Sequence, residues 1–376
     1  LATALFLSTT LSNVEKTMNA EQISVPSIPS IPHIPKWSGN TSVNTQNSAI
    51  NPCTDHAPAA AMFGTHLFVA YKGTDNHNIA LTTYNGTTWA GDNVIKCPNS
   101  WPQTDDGPAL CVFESTLYMV YRGTGDEDNH LWMAWLSNNA SIDGTGWQGD
   151  VGVNSLLATG VAEVETDHHQ ASLAVYPYNG TDALWVAYQK NSDFYMAVYQ
   201  GGKFVYNTKV NDMTGSISPE SDTNPCIAPY YVESLDKTVL YMTYKARHSN
   251  NLMYAYWDGS TWTGDDDINV TMHVPIVIPQ TPESNVAPVL IPQGSKLHMY
   301  FKAAHSNDLY EAALHNQAWK GNVAINMVSS ITPQSDYNPG GAVFTQTINK
   351  KTTETLVLVY KNEDDDSNQL MTAYYE

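Results

Sequence analysis

Positive charge is what this sequence lacks most. Only 17 Lys and Arg stand against 37 Asp and Glu, giving a formal net charge of −20, and just two cations are arginines, Arg122 and Arg247. Such a chain is repelled by phosphate backbones and anionic lipid, which argues against nucleic acid or a membrane surface as partners. Long apolar runs are missing too: nothing approaches the roughly 18 residues of a membrane-spanning helix, so no membrane insertion is expected. Four cysteines are too few for a disulfide scaffold. Cys111 and Cys226 fall in apolar runs and read as buried thiols, whereas Cys53 and Cys97 flank the first repeat in polar connectors, where a bridge between them is open. Charged residues of either sign make up only 14% of the chain. The surface must therefore be built from Asn, Ser, Thr, Gln and Tyr.

What is abundant is hydrophobic and aromatic: 42% of residues are hydrophobic, with 22 Tyr and 10 Trp. These residues recur in a pattern. Six segments align, at 57–92, 107–150, 170–207, 224–265, 286–322 and 338–376. Each carries an inner run such as "PAAAMF" or "PALCVF", a second such as "LFVAYKG" or "LYMVYRG", and a third such as "IALTTY" or "LWMAWL". A fourth opens on an aromatic followed by Gly, as in "WAGD", "WQGD", "WTGD" and "WKGN", with "FVYN" the deviant. Runs of five to seven residues rich in Tyr, Val, Leu and Trp, punctuated by Gly, Asn and Asp, read as strands. Four antiparallel strands repeated six times predict an all-β, six-bladed propeller. The sixth repeat stops at Glu376 without its fourth strand, and "KWSGNTSVN" at 36–44 matches that missing piece. The N-terminal strand is therefore expected to close the last blade.

Packing explains the repeated letters. Ala134, Ala197, Ala255, Ala312 and Ala373 hold one third-strand position, with Thr82 the exception, where a small residue lets the neighbouring sheet approach. Trp37, Trp89, Trp147, Trp262 and Trp319, with Phe204 in the third blade, read as inter-blade core. Residues 1–35 form a separate N-terminal arm. In "SVPSIPSIPHIP", Pro26, Pro29, Pro32 and Pro35 at a period of three suit polyproline II and align Val25, Ile28, Ile31 and Ile34 along one edge. That edge is expected either to strap the propeller or to join a second copy in a homo-oligomer. The start "LATALFLSTTLSN" lacks a basic region and reads as at most the remnant of a signal peptide. Sequons at Asn40, Asn85, Asn139, Asn179 and Asn269, with the acidic polar composition, lean towards a secreted, extracellular glycoprotein.

The most specific recurrent feature precedes each inner strand. A Ser or Thr followed by Asp recurs in five blades (Asp55, Asp105, Asp167, Asp222, Asp336), with Asn285 in the fifth. A cation recurs at the end of the second strand: Lys72, Arg122, Lys245, Lys302 and Lys361, with Gln189 beside Lys190 in the third blade. If the first two strands form a hairpin, each Asp faces a cation. Two readings stay open: ion pairs and turns that fix the blade entrance, or shallow pockets for polyols. The loops between second and third strands emerge on the same face and bring His248, Asn250, His305 and Asn307. With the aromatics Trp132 and Trp101 these would suit a sugar, while the plain alternative is that tight turns prefer Asn and Asp. "GDDDIN" (264–269) and "NEDDDSNQ" (362–369) are candidate calcium ligands without EF-hand spacing, and surface turns are their default reading. No HxxH or HExxH pattern exists, so no other metal or cofactor is expected. One carboxylate breaks the symmetry: Glu311, where other blades carry Leu81, Met133, Met196, Tyr254 and Thr372. It reads either as a general acid with a raised pKa or as a solvent-facing strand residue.

The turns "DGTGW" and "DGSTW" are similar to the D-x-G-x-x-W hairpin of sialidases and related propellers, where it is a folding motif. Sialidases hold their substrate's carboxylate with three arginines; this chain has two in all, which excludes that activity. The near-equivalent blades resemble, over about residues 36–376, the secreted six-bladed propeller lectins of fungi and bacteria. The fucose-binding members use a blade-repeated Arg/Glu/Trp set, from which the mostly Lys position here departs. The resemblance implies a non-catalytic, carbohydrate-binding propeller with several weak sites for glycans or glycoproteins. The alternatives are a glycan-cleaving enzyme using Glu311 or a channel carboxylate, and an adhesion or assembly protein docking through its arm.

Overall fold

The computed structural model describes residues 37–125, 129–139, 141–167, 169–215, 217–271, 279–363 and 367–376. Within them the strands make six sheets. Blade 1 is Ala59–Phe63, His66–Lys72, Ile79–Tyr84 and Trp89–Val94; blade 2 is Ala109–Phe113, Thr116–Arg122, Leu131–Leu136 and Gln148–Gly152. Blade 3 is Ser172–Tyr178, Thr181–Lys190, Asp193–Gln200 and Lys203–Lys209; blade 4 is Cys226–Val232, Lys237–Lys245, Leu252–Trp257 and Trp262–Asp267. Blade 5 is Val289–Gln293, Lys296–Lys302, Leu309–His315 and Ala318–Ala324, with the short strands Val270–Thr271 and Pro279–Gln280 added at its outer edge. Blade 6 is Gly340–Ile348, Lys351–Lys361 and Leu370–Tyr375, and its fourth strand is Trp37–Ser42. Trp37 lies opposite Tyr375 in that antiparallel pair, so the chain closes its own ring. The all-β six-bladed propeller is the fold, and no described helix is long and apolar enough to cross a membrane.

The core lies between sheets. Each seam holds its own cluster of buried apolar residues, from blades 1 and 2 (Phe68, Leu81, Met119, Trp147) round to blades 6 and 1 (Val69, Trp89, Val357, Leu370). The opening aromatics of the fourth strands are buried in these seams, and so are the repeated alanines. Thr82 fits the alanine position because its hydroxyl donates to the Ala90 carbonyl at 3.0 Å.

The Gly-Asp/Asn that follows each Trp has a separate task. A bulge there puts the Asp or Asn side chain over the second strand's tyrosine. Tyr71, Tyr121 and Tyr244 donate to Asp92, Asp150 and Asp265, Tyr188 donates to Asn207 at 2.7 Å, and Tyr360 donates to Asn40 at 2.6 Å. Blade 5 carries Phe301 there instead. Asn40 is therefore a structural acceptor, and its amide also donates to the Thr332 carbonyl at 3.2 Å. Asn85, Asn139, Asn179 and Asn269 are exposed.

The Cys53–Cys97 bridge that the sequence leaves open is not formed: both thiols are free. The topology separates them. Cys53 bridges to Gln369 of the blade 6 loop, while Cys97 packs in the seam of blades 1 and 2. Cys226 is buried as expected, but Cys111 is only half-buried. Burial pushes the Cys97 and Cys111 thiols up to about 12 and Cys226 to about 11, so they are inert at neutral pH. The proline-rich arm and Lys36 lie outside the described residues.

Six first strands line the axis. Gly340 comes so close to the neighbouring strand that a Cβ there would stand 2.3 Å from the Pro58 carbonyl oxygen. The space left inside is about 180 Å³, lined by residues such as Ala59, Ala109 and Cys226.

Candidate functional site

Geometry at one face begins with the Ser/Thr of each connector. Thr54, Thr104, Ser221, Ser284 and Ser335 are fully buried, and each accepts the amide of the residue two positions on, Asp106 to Thr104 at 3.1 Å for example. This local turn fixes the next two side chains. The first of them, the repeated Asp, meets the cation. Lys72 donates to both oxygens of Asp55 at 2.8 Å, Lys245 reaches Asp222 at 2.6 Å, and Lys361 reaches Asp336 at 2.6 Å. In blade 5 Lys302 donates to Asn285 at 3.1 Å. Blade 3 departs from expectation. Gln189 is buried and donates to the Ser221 carbonyl at 3.0 Å, while Lys190, one residue on and so on the other side of the strand, pairs with Glu165. Asp167 instead accepts the Asn191 amide at 2.6 Å. In blades 1, 4 and 6 the buried cation is paired with its carboxylate, which is how such charges tolerate low dielectric.

At the second position of the turn, whose His56 and Asp106 line a cleft, the blades stop being equivalent. His56, Asp106, Thr223, Val286 and Tyr337 occupy this position. Beside Asp106 lies an open cleft of about 740 Å³, lined by His56, His77, Asp105, Asp106, Arg122, Thr124 and Gly125. Arg122, 2% exposed, stands where other blades have Lys. Its Nη2 donates to the Gly125 carbonyl at 3.0 Å and its Nη1 lies 3.6 Å from Asp105. Asp105 also takes the Gly125 amide at 2.7 Å and sits 2.6 Å from His77 Nδ1.

Two adjacent carboxyls are thereby driven apart. For Asp105, burial works upward, but the Gly125 amide, His77 and Arg122 outweigh it and hold the group below the usual carboxylate range. For Asp106, burial dominates and raises the pKa, opposed only in part by His56, His169 and Arg122, with the Asp105 charge adding to the rise. The two neighbours are thus shifted in opposite directions, one towards its ionised form and one towards its protonated form, which is the division an acid-catalysed reaction uses. The duplicated Asp in "QTDDGP" carries the signal in the sequence.

The other expected site residues stand elsewhere. His248 is exposed, and Asn250 offers its carbonyl to the Ser284 amide at 2.8 Å. His305 lies 3.4 Å from Glu283, and Asn307 donates to Glu363 at 2.7 Å. Trp132 is half-buried against the seam of blades 1 and 2, a correction to its reading as an open platform, while Trp101 is 57% exposed beneath Lys96. Glu311, 18% exposed, lies 2.9 Å from His298 Nδ1 and accepts from Tyr300 at 3.4 Å, so its carboxylate is engaged within the seam of blades 5 and 6 and lines neither cavity. No cluster of metal-binding side chains occurs among the described residues, which include 264–269; Asp364, Asp365 and Asp366 of the second acidic run, and His168, lie outside them.

No protein-family model and no curated protein sequence matches the chain. Solved structures do. A mutant Trypanosoma rangeli sialidase displaying trans-sialidase activity is similar at 11% identity over 86% of this chain and 54% of its own, TM-score 0.49. An exo-β-1,3-galactanase from Phanerochaete chrysosporium is similar at 9% identity over 86% of this chain and 80% of its own, TM-score 0.48. An α-L-arabinofuranosidase from Lactobacillus brevis is similar at 11% identity over 89% of this chain and 94% of its own, TM-score 0.40. At these identities the likeness is one of fold. The lectin reading is corrected by the geometry: in blades 1, 4 and 6 the repeated Asp and Lys that were to form equivalent sugar sites are consumed by one another.

Proposed function

We propose that the protein is a glycan-cleaving enzyme whose active site is the cleft between blades 1 and 2 at the propeller mouth. The observation that carries this is the Asp105–Asp106 pair: adjacent carboxyls in one cleft, the first shifted towards ionisation by the Gly125 amide, His77 and Arg122, the second shifted towards its protonated form by burial. Asp106 gives its proton to the glycosidic oxygen as the bond to the anomeric carbon breaks, and water adds to that carbon as OH while its other proton returns to the Asp106 carboxylate. Asp105 supplies the fixed negative charge that the sugar ring's developing positive charge meets. His77, Arg122 and the Gly125 amide are positioning groups that hold Asp105. This replaces Glu311 as the catalytic carboxyl. The expectation of a secreted chain belongs with this reading, since polymeric glycans are met outside the cell.

The test is release of reducing ends from a panel of polysaccharides. General-acid groups contribute about 10²- to 10⁴-fold, so Asp106→Asn should lose at least about 100-fold in kcat with its circular dichroism spectrum intact. An Asp106→Asn variant as active as the parent, or a parent inert on every substrate, overturns the proposal.

A further inference from the structure

Among the described residues, each basic side chain of the cleft stands beside a carboxylate before any substrate arrives. Three basic side chains line it: His56, His77 and Arg122. His56 Nδ1 lies 2.9 Å from Asp55, His77 Nδ1 lies 2.6 Å from Asp105, and Arg122 divides its terminal nitrogens between Asp105 and the Gly125 carbonyl. Lys72, the nearest ring cation in blade 1, is likewise taken by Asp55 through both oxygens. A substrate carboxylate entering here finds each of these basic side chains already beside a carboxylate of the protein. It would also approach Asp105 in a molecule whose net charge is −20.

Something else is on offer. The ring of His56 stacks on that of Tyr337 from the neighbouring blade, centroids 5.2 Å apart at 30°, both rings only half-buried. These residues hold the same turn position in adjacent blades, and His56 is also a wall of the cleft. Aromatic faces pair well with the apolar C–H side of a sugar ring, an interaction that needs no charge on the ligand.

Resting on the glycan-cleaving reading, we propose that the site takes an uncharged sugar ring, laid against the His56–Tyr337 pair, and discriminates against sugars bearing a carboxylate. Uronate and sialate units are thereby excluded as substrates, while neutral pentosyl and hexosyl units are accepted.

Matched polymers test this on the intact chain. Arabinoxylan is compared with glucuronoxylan, which shares its backbone but carries uronate, and fully methyl-esterified with de-esterified galacturonan. We expect kcat/KM to favour the neutral member at least tenfold in whichever pair is cleaved. Equal rates, or preference for the carboxylated member, overturn the inference and leave the glycan-cleaving reading standing. If no polymer is cleaved that reading fails, and calorimetry with xylohexaose and trigalacturonate then decides the inference: it survives if only the neutral oligosaccharide binds and falls with any other result. A gain-of-charge variant gives an independent arm. Asp55→Asn frees His56 and Lys72 and should narrow the preference; a preference unchanged in this folded variant removes the charge argument.

Discussion

At the scale of single residues the cleft makes an unusual demand: two neighbouring aspartates with opposite preferences for a proton. The folded-state pKa of Asp105 is depressed, so its contribution to stability is whole above the unfolded value near 3.9 and is lost as pH falls through the folded value. Asp106 is the reverse. Its folded pKa is raised, so its ionised form is penalised above that pKa, and the penalty disappears below the unfolded value. At pH 7, Asp105→Asn should therefore lower the thermal midpoint by a few degrees, while Asp106→Asn should leave it unchanged or raise it. As pH falls below the unfolded value, towards pH 3, both differences from the parent should shrink. Differential scanning calorimetry at both pH values checks this, and a destabilised Asp106→Asn at pH 7 would mean that the carboxyl is structural. Asp106 escaped the sequence reading for a simple reason. The repeat alignment drew attention to the preceding Asp, common to five blades, and made the following position look like loop. Only the turn geometry, with Thr104 accepting the Asp106 amide, places that position in the cleft.

At the scale of the strand, the sequence was far more legible. Strand count, the Trp seam and the small third-strand residue could all be read because each repeats six times with a period that packing enforces. The chemistry of the Gly-Asp/Asn pair could not, since its meaning lies across the sheet in a tyrosine two strands away. Gly149 shows how tight the bulge is: its φ is +84°, and a Cβ would stand 2.4 Å from the Trp135 ring. Gly149→Ala should destabilise by about 2 kcal/mol or more through backbone strain and displacement of Trp135. Chemical denaturation reads the cost directly, and a variant within error of the parent would show that the bulge relaxes. The same logic explains the missed Trp132: alternation along Leu131–Leu136 turns its ring to the blade 1 seam, which composition alone does not reveal.

At the scale of the molecule, the cleft depends on the ring being closed, because its walls come from blades 1 and 2 and its stacked aromatic pair from blades 6 and 1. Trp37 is the buried anchor of that closure, with its ring centred 5.6 Å from that of Tyr300 and 5.0 Å from that of Tyr375. Trp37→Ala should cost about 3–5 kcal/mol. Since removal of the anchor loosens blade 6 beside Tyr337, substrate affinity should fall together with stability, and activity assays at increasing urea should show the variant failing first. A loss of stability with affinity untouched would separate the anchor from the mouth.

Closure also sets an order of events during synthesis. Trp37–Ser42 leaves the ribosome well before its hydrogen-bonding partner Leu370–Tyr375 is made. In that interval an incomplete ring presents bare strand edges to every other nascent chain nearby. The polypeptide is most open to wrong pairing during this wait, and shelter is needed until the closing strand appears.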